Sequence, residues 1–221
     1  MFRLENGLQV VISPESRLPL AAVALYYDVG ARDETKGKTG FAHLFEHLMF
    51  EGSEHVESGS HFSMIANLGG RINANTTHER TLYYATVPAN QLDVVLWMEA
   101  DRMRSLKVTQ ESFEHQRKTV LEERKQRVDN QPFGLARERY TALCHADFSY
   151  AHPVIGSEED IRAADLNQVQ AFHRTWYRPN NAILSIAGDV DVDACMGRIH
   201  EWFSDIESGE LPSFEPSLDP N

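Results

Sequence analysis

Cysteine is scarce in this chain, which has only Cys144 and Cys195 among its 221 residues. Two cysteines are too few for the disulfide framework of a small secreted domain, and no pair of zinc-finger spacing is present. We therefore expect two buried or half-buried thiols. Stability must come from a hydrophobic core, and the 42% of apolar residues is typical of a globular protein.

Long apolar runs are also missing. No run approaches the roughly 20 residues that a membrane-spanning helix needs, so we expect no membrane span. No signal peptide is recognisable at the start of the sequence. The compartment therefore stays unknown, and we expect a soluble protein of the cytoplasm, or of the periplasm if a signal peptide has been removed.

Positive charge is in deficit. The chain has 33 acidic and 21 basic residues, which gives a net charge of −12, and no cluster of Lys and Arg stands out. Proteins that bind nucleic acids normally carry a basic face, so we expect no nucleic-acid partner. The acidity favours solubility and suits cationic peptides, although most of it is expected to lie on a solvated surface.

What the sequence does contain is a group of polar residues in an apolar helical stretch, residues 40–50. His43 and His47 are four residues apart and therefore lie on one face of a helix, and Glu46 lies beside them. Two neutral imidazoles one turn apart can share a zinc ion, and an adjacent carboxylate can accept a proton from water. Two core histidines are the alternative. Burying three such groups unpaired would cost several kcal/mol, which favours the metal site.

The order of these residues is His-x-x-Glu-His, the inverted form of the common zinc-peptidase motif. In this feature the chain resembles the N-terminal catalytic half of the pitrilysin, or inverzincin, family of zinc metallopeptidases. The resemblance implies a third zinc ligand, a glutamate on a later helix. Glu123 stands at the corresponding distance downstream.

Helical geometry distinguishes Glu123 from its neighbour Glu122. At about 100° per residue, Phe113, Gln116, Val120 and Glu123 share one face of a helix, whereas Glu122 points to the other side. We therefore expect Glu123 to face the interior. A buried carboxylate needs a partner, which is either the zinc ion or an arginine in the core.

Gln116 departs from the family pattern. Members of the family often have a second glutamate two helical turns before the third ligand, and here that position is Gln116. Its amide can still form a hydrogen bond behind a zinc ligand, but it carries no charge. An acid or base role for this position is therefore not expected.

A second resemblance lies in residues 70–84, where Asn73 and Ala74 are followed by Thr, Glu, Thr and Tyr. In the family, this strand is an open sheet edge near the metal, and a peptide substrate adds to it as an extra strand. The resemblance implies that Asn73 and Ala74 bind substrate. An ordinary polar hairpin is the alternative. The histidines at positions 55, 61 and 78 lie in polar surroundings, and we expect them to be exposed rather than to bind metal.

The pattern of elements predicts an α+β fold with a largely antiparallel sheet flanked by helices. Strands at 8–12 and 21–29 are expected to pair as a hairpin, and Thr39 is expected to cap the helix that carries the motif. A second hairpin is expected at 71–77 and 80–88, and a late apolar strand at 182–187. Helices are expected at 60–68, 90–106, 109–128, 132–145, 164–177 and 191–206.

We expect a catalytic domain over residues 1–208 and a linker over residues 209–221, where Ser, Gly, Pro and acidic residues accumulate. Full members of the family contain two related halves that close around a peptide. The linker therefore points to a second half or a partner subunit outside this chain.

The resemblance implies a zinc-dependent endopeptidase or oligopeptidase. One Zn²⁺ per chain is held by His43, His47 and Glu123, Glu46 is the general base, and peptides are the substrates. Two alternatives are a non-catalytic or partner-dependent subunit that is weakly active alone, and a zinc enzyme acting on small molecules.

Overall fold

The computed structural model describes residues 1–212, so most of the linker expected at 209–221 lies outside the described residues. The strands are β1 (Phe2–Arg3), β2 (Gln9–Pro14), β3 (Leu20–Tyr27), β4 (Arg71–Thr76), β5 (Thr81–Pro88) and β6 (Ala182–Gly188). The α-helices are α1 (Phe41–Leu48), α2 (Ser60–Asn67), α3 (Leu92–Ser105), α4 (Gln110–Arg124), α5 (Gly134–Cys144), α6 (Phe148–Ala151), α7 (Glu158–Ala163), α8 (Leu166–Trp176) and α9 (Val192–Phe203).

The six strands form one sheet in the order β1-β2-β6-β3-β5-β4. The pair β2–β6 is parallel, and the other pairs within residues 1–212 are antiparallel. The expected α+β fold with a largely antiparallel sheet is confirmed, as is the hairpin of β4 and β5. Among the described residues β4 pairs with β5 alone and is therefore an edge strand of the sheet.

The prediction that β2 and β3 pair as a hairpin is wrong. β6 lies between β2 and β3, parallel to the first and antiparallel to the second. The side chains of Leu184 and Ile186 are almost completely buried, so a central position gives β6 both a covered face and backbone partners on both edges. The short connection after β2 needs to cross only about 10 Å, the width of two strand spacings.

Strict alternation along β3 defines the core face of the sheet. Ala21, Val23, Leu25 and Tyr27 are buried, while the residues between them are more exposed. Helices α1 and α3 contact β5, and α3 also contacts β3. The metal motif in α1 is therefore held against a rigid sheet by its apolar side chains.

Thr39 does not cap α1. The N-cap residue is Gly40, which has a φ of 87° and no side chain to accept a hydrogen bond. The hydroxyl of Thr39 instead donates to Asp160 Oδ2 at 2.5 Å and accepts from the backbone N–H of Ser157. The left-handed conformation favours glycine at position 40, and an added Cβ would lie 2.7 Å from the carbonyl oxygen of Ile155.

Three other helices begin at residue types that commonly cap helices. Thr109 accepts from Ser112 at the start of α4, and Asp165 and Asp191 accept from the third residue of α8 and of α9. Helix α4 ends at Arg124 and continues as a π-helix, Lys125–Asp129. The short helices α6 and α7 were not expected from the sequence.

Both cysteines are free thiols. Cys195 is buried, as expected, whereas Cys144 is exposed at the end of α5. The expectation of buried or half-buried thiols is therefore wrong for Cys144, because α5 presents most of its surface to solvent. Over residues 1–212, no helix combines the length and the apolar character required to traverse a bilayer.

Candidate metal centre

Helix α1 carries His43, Glu46 and His47 on the side turned toward α4. The helix is anchored by buried Leu44, Phe45 and neighbouring apolar residues, so its polar side chains are positioned from behind by the core. His43 is 7% exposed, and the two imidazole rings lie 4.9 Å apart between centroids. The spacing of one helical turn therefore brings the two rings together as the sequence predicts.

Glu123 reaches the same point from α4. Its Oε2 atom lies 3.2 Å from His47 Nε2 and 3.8 Å from His43 Nε2. One ligand atom from each of these three residues lies within 4.8 Å of the others. Glu122, by contrast, is exposed and pairs with Lys125 at 2.6 Å. The helical geometry thus identified the inward-facing glutamate correctly.

The electrostatics of the three groups differ. Burial, together with the neighbouring His47, lowers the pKa of His43 to about 4, so His43 is neutral near pH 7. Burial also opposes protonation of His47, but the hydrogen bond and charge of Glu123 raise its pKa overall. The hydrogen bond with His47 lowers the pKa of Glu123, which keeps this carboxylate ionised.

These residues fit a zinc ion. A neutral imidazole, a second imidazole and an ionised carboxylate make up a donor set that zinc prefers, and their ligand atoms converge from two helices. Three ligands are also what a catalytic zinc site has, with a further position left for water or substrate. The chemistry of the donor set and its convergence therefore both agree with the metal.

Glu46 lies beside the three ligands without joining their cluster. Its Oε2 accepts a hydrogen bond of 2.5 Å from the hydroxyl of Thr76, the last residue of β4. Burial raises the pKa of Glu46, and the hydrogen bond from Thr76 partly opposes the rise. A carboxylate with a raised pKa next to a cluster of imidazoles has the properties of a general base. Thr76 was not identified from the sequence.

Gln116 contacts His47 from the opposite side. Its Oε1 lies 3.2 Å from His47 Nδ1, the ring nitrogen that faces away from Glu123. Gln116 thus contacts one of the candidate ligands, and its role behind a zinc ligand stays a prediction. The corresponding nitrogen of His43, Nδ1, is buried and has no hydrogen-bond partner within residues 1–212.

Arg127 is a neighbour that sequence reasoning did not single out. Its Nη1 lies 2.7 Å from Glu123 Oε1, and its side chain is 71% exposed. The carboxylate of Glu123 therefore faces the histidines with one oxygen and an arginine with the other. This arginine is on the surface, unlike the core arginine considered as an alternative. Arg127 belongs to the π-helix, a distortion that frequently marks functional sites.

Asn73 and Ala74 lie in the edge strand β4, two to three residues before Thr76. Asn73 is exposed, and its Oδ1 accepts the backbone N–H of Ala74 at 2.9 Å. That N–H is therefore directed away from β5, toward the open edge. The structure places both residues on the same strand as the partner of Glu46.

The three histidines that were expected to be exposed, at positions 55, 61 and 78, differ from one another in burial. His55 is exposed, as expected. His61 is 1% exposed, so its expected exposure is wrong: it lies in α2 against Phe50, and burial lowers its pKa to about 4. His78 is half-buried rather than exposed, and its Nε2 lies 3.0 Å from the carbonyl oxygen of His152. None of the three belongs to the His43–His47–Glu123 cluster.

Comparison with known proteins identifies relatives of this chain. Residues 10–156 match the family described as insulinase, peptidase family M16, and residues 163–221 match the peptidase M16 inactive domain. The zinc protease PqqE of Helicobacter pylori is 36% identical over 189 residues, which cover 85% of this chain and 43% of that protein. An uncharacterized zinc protease of Mycobacterium tuberculosis is 32% identical over 200 residues, covering 90% and 45%.

A solved structure shows the same fold. The crystal structure of a protease from Helicobacter pylori superposes with a TM-score of 0.90 at 32% identity, covering 97% of this chain and 52% of that one. The chain thus spans about half the length of the relatives it matches.

Proposed function

This chain belongs to the insulinase family, peptidase family M16, and on that premise we propose that it is the zinc-binding catalytic half of a two-part endopeptidase or oligopeptidase. The convergence of His43, His47 and Glu123, with Glu46 beside them, is the observation that carries the proposal. Relatives named as zinc proteases support it.

His43 and His47 would hold one zinc ion per chain through their Nε2 atoms, with Glu123 contributing Oε2. These are the atoms that approach one another most closely in the site. When bound, zinc would polarise a peptide carbonyl and make water acidic enough to react near neutral pH. The pairing of Arg127 with Oε1 leaves Oε2 of Glu123 directed at the histidines.

Glu46 would move the proton. Its Oε2 accepts from Thr76, so Oε1 is the atom free to take a proton from an attacking water. Burial raises the pKa of Glu46, which makes its protonated form more accessible and so eases return of that proton to the leaving amine. Thr76 would fix the rotamer of Glu46 during both transfers.

Strand β4 would bind the peptide. An extended peptide can add to the open edge of a sheet through main-chain hydrogen bonds. The N–H group of Ala74 faces this edge as a hydrogen-bond donor. In the free chain it donates to Asn73 Oδ1, which takes the place of a peptide carbonyl oxygen. A peptide in this position would run past Thr76 toward Glu46.

We propose that residues 1–208 form the catalytic domain and that residues 209–221 are a linker toward a second half or a partner subunit. The relatives are about twice as long as the matched region, which supports a contribution from outside this chain. We therefore propose that the chain alone binds zinc but cleaves peptides weakly. A partner-dependent subunit is the second candidate, and the same length difference supports it.

The test is the Glu46→Gln variant, with Glu122→Gln as the matched control on the solvent side. Zinc content and cleavage of a mixed peptide library are measured on the purified chain. Glu46→Gln is expected to keep the parental zinc content and to lose cleavage by about 10²-fold or more, the usual contribution of a general base. Cleavage by Glu46→Gln at the parental rate would show that Glu46 is not the general base. Absence of zinc from the parental chain would contradict the peptidase proposal.

A further inference from the structure

A cavity of about 350 Å³ lies behind α1, on the side away from the candidate metal centre. Phe45 contributes to it from α1, and at about 100° per residue its side chain points away from His43 and His47. The rest of the lining comes from residues 103–108, at the end of α3 and in the loop after it, and from residues 170–178, in α8 and just beyond it. The cavity is therefore separate from the candidate metal centre.

The charged side chains that line this cavity are all cationic. Arg104, Arg174 and Arg178 belong to the lining, and within residues 1–212 no acidic residue does. The whole chain, by contrast, has 33 acidic and 21 basic residues. Three guanidinium groups around one depression create a positive local potential on a protein whose net charge is negative, and such a potential attracts anions.

In the part of the chain that the structure describes, two of the three guanidinium groups have no carboxylate partner. Arg104 pairs with Asp205, a residue outside the lining, and its Nη2 also donates to the carbonyl oxygen of Trp202 at 2.7 Å. Arg178 Nε donates to the carbonyl oxygen of Arg174 at 2.7 Å, and within residues 1–212 neither arginine forms an ion pair. Arg174 and Arg178 therefore keep N–H donors for a ligand.

The floor of the cavity is aromatic. Phe45 and Tyr177 are almost completely buried, with ring centroids 5.0 Å apart, and the ring of His173 stacks on both. Burial, followed by the charges of Arg178 and Arg174, lowers the pKa of His173 to about 4, so this imidazole is neutral near pH 7. Arg174, in contrast, is exposed. The cavity thus combines a cationic rim with an uncharged aromatic floor.

Helix dipoles explain part of this charge. Arg104 and Arg174 lie in the last turns of α3 and α8, where a positive charge interacts favourably with the partial negative charge of a helix C-terminus. This interaction does not require the two helix ends to face one cavity, and it does not explain why acidic residues are missing from the lining. Binding of an anion accounts for both of these features.

We propose that this cavity binds a small organic oxyanion: a carboxylate or phosphate group attached to a compact apolar body. The guanidinium groups of Arg174 and Arg178 present planar donor forks that match such an oxyanion, and the rings of Phe45 and Tyr177 contact the apolar part. A volume of about 350 Å³ lies at the small end of the range of ligand pockets. Since the lining contains none of the candidate zinc ligands, binding does not depend on the proposed function.

Phenyl phosphate is the probe, and benzylamine, which has a similar apolar body and the opposite charge, is its control. Isothermal titration measures the affinity of the purified chain for each compound, with and without zinc, and ¹H–¹⁵N spectra locate the site. We expect phenyl phosphate to bind with a Kd below about 1 mM in both states and benzylamine not to bind. The backbone amide signals of residues 104–108 and 170–178 are expected to shift, and those of α5 are expected to stay in place.

Two variants test the lining. Arg174→Gln removes a charged donor, and Gln170→Glu introduces a carboxylate of nearly the same shape. Each is expected to weaken phenyl phosphate binding by about tenfold or more, the usual effect of losing a hydrogen bond to a charged group. Arg139→Gln is the matched control, because it removes the same charge from an exposed residue of α5, and it is expected to bind the probe with parental affinity.

Parental affinity in Arg174→Gln would overturn the proposal, as would a parental chain that does not bind phenyl phosphate. Binding to the zinc-loaded chain alone would assign the probe to the metal centre and would overturn it too. Should Gln170→Glu fail to fold, Arg174→Gln decides, since it changes an exposed side chain. A chain that binds the probe but no zinc would contradict the proposed function and leave the anion site standing.

Discussion

The carboxylate of Glu34 and the imidazole of His152 meet beneath the start of α1, with Oε2 and Nε2 3.0 Å apart. The same carboxylate accepts the backbone N–H groups of Gly40 and Ala42, both at 2.8 Å. Its side chain is fully buried. Glu34 therefore supplies, from the loop that precedes α1, the helix cap that Gly40 lacks. A negative charge at this end of the helix also interacts favourably with the helix dipole.

Replacing Glu34 by Gln is expected to destabilise the chain by about 1–3 kcal/mol. Gln has one acceptor oxygen, so its NH₂ group must face at least one of the three donors. Urea unfolding measures the change, with Glu57→Gln as the control for loss of one negative charge. If the two variants unfold at the same urea concentration, Glu34 does not act as the cap of α1.

The neighbouring glutamates 122 and 123 offer a matched pair for the metal centre. Glu123→Gln removes a carboxylate that faces both histidines, and we expect zinc affinity to fall by at least about tenfold because one anionic ligand is lost. Glu122→Gln changes an exposed carboxylate on the same helix and is expected to leave affinity unchanged. Isothermal titration of the metal-free proteins measures both values. Equal affinities in the two variants would contradict the assignment of Glu123.

The grouping of His43, His47 and Glu123 was predictable from the sequence because these residues follow helical periodicity, while their role as metal ligands stays a prediction. His43 and His47 share a face by their spacing, and the same rule separates Glu123 from Glu122 on α4. Glu34 was not predictable, since it acts through contacts that only folding creates. No local pattern marks this residue as a partner of α1 or of His152.

The wrong predictions about strand pairing and helix capping have a similar origin. The strands β2 and β3 were expected to pair because they are consecutive, but the late strand β6 inserts between them. A short connection is compatible with either arrangement, so local signals do not decide strand order. Thr39 is of a residue type that commonly caps helices. Its hydroxyl instead donates a hydrogen bond to Asp160 and accepts one from Ser157, and both residues lie far along the chain.

His173 is half-buried with a buried Nε2 atom, and no part of the proposed chemistry uses its imidazole. It stacks between Phe45 and Tyr177, with ring centroids 5.2 and 5.3 Å away, and its Nε2 has no hydrogen-bond partner within residues 1–212. Burial lowers the pKa of His173 to about 4, and the charges of Arg178 and Arg174 add to the lowering. The ring is therefore neutral in the folded chain at pH values where it is charged in the unfolded chain.

This difference predicts acid sensitivity. As pH falls from about 6.5 toward 4, the unfolded state gains a proton on residue 173 before the folded state does, so stability falls with pH. His173→Phe removes the titrating group and keeps a stacked ring. Between about pH 7 and pH 5, the free energy of unfolding should therefore fall by about 2 kcal/mol less in this variant than in the parental chain. Urea unfolding at the two pH values measures it. The same loss in both proteins would show that His173 is not a source of the sensitivity.

The open edge of β4 provides the sharpest test of substrate binding, because two adjacent substitutions should act in opposite directions. Ala74→Pro deletes the N–H that faces the edge, and proline is tolerated in an edge strand. Asn73→Ala removes the side-chain oxygen that accepts a hydrogen bond from this N–H in the free chain. If a peptide adds to β4 through its main chain, Ala74→Pro should weaken binding. One hydrogen bond is worth roughly 1–1.5 kcal/mol, and the Asn73 side chain already satisfies this N–H in the free chain, so the loss should be at most about tenfold. Asn73→Ala should leave binding unchanged or strengthen it.

Fluorescence anisotropy with labelled peptides on the zinc-loaded Glu46→Gln background measures binding without cleavage, and melting temperatures confirm that each variant is folded. Weaker binding in Asn73→Ala than in Ala74→Pro would mean that the Asn73 side chain, rather than the strand edge, recognises the peptide. Since the Asn73 amide already satisfies the Ala74 N–H in the free chain, a peptide gains only the difference between the two acceptors at this point. Affinity for the isolated half is therefore expected to be low, and the remaining contacts would have to come from outside this chain.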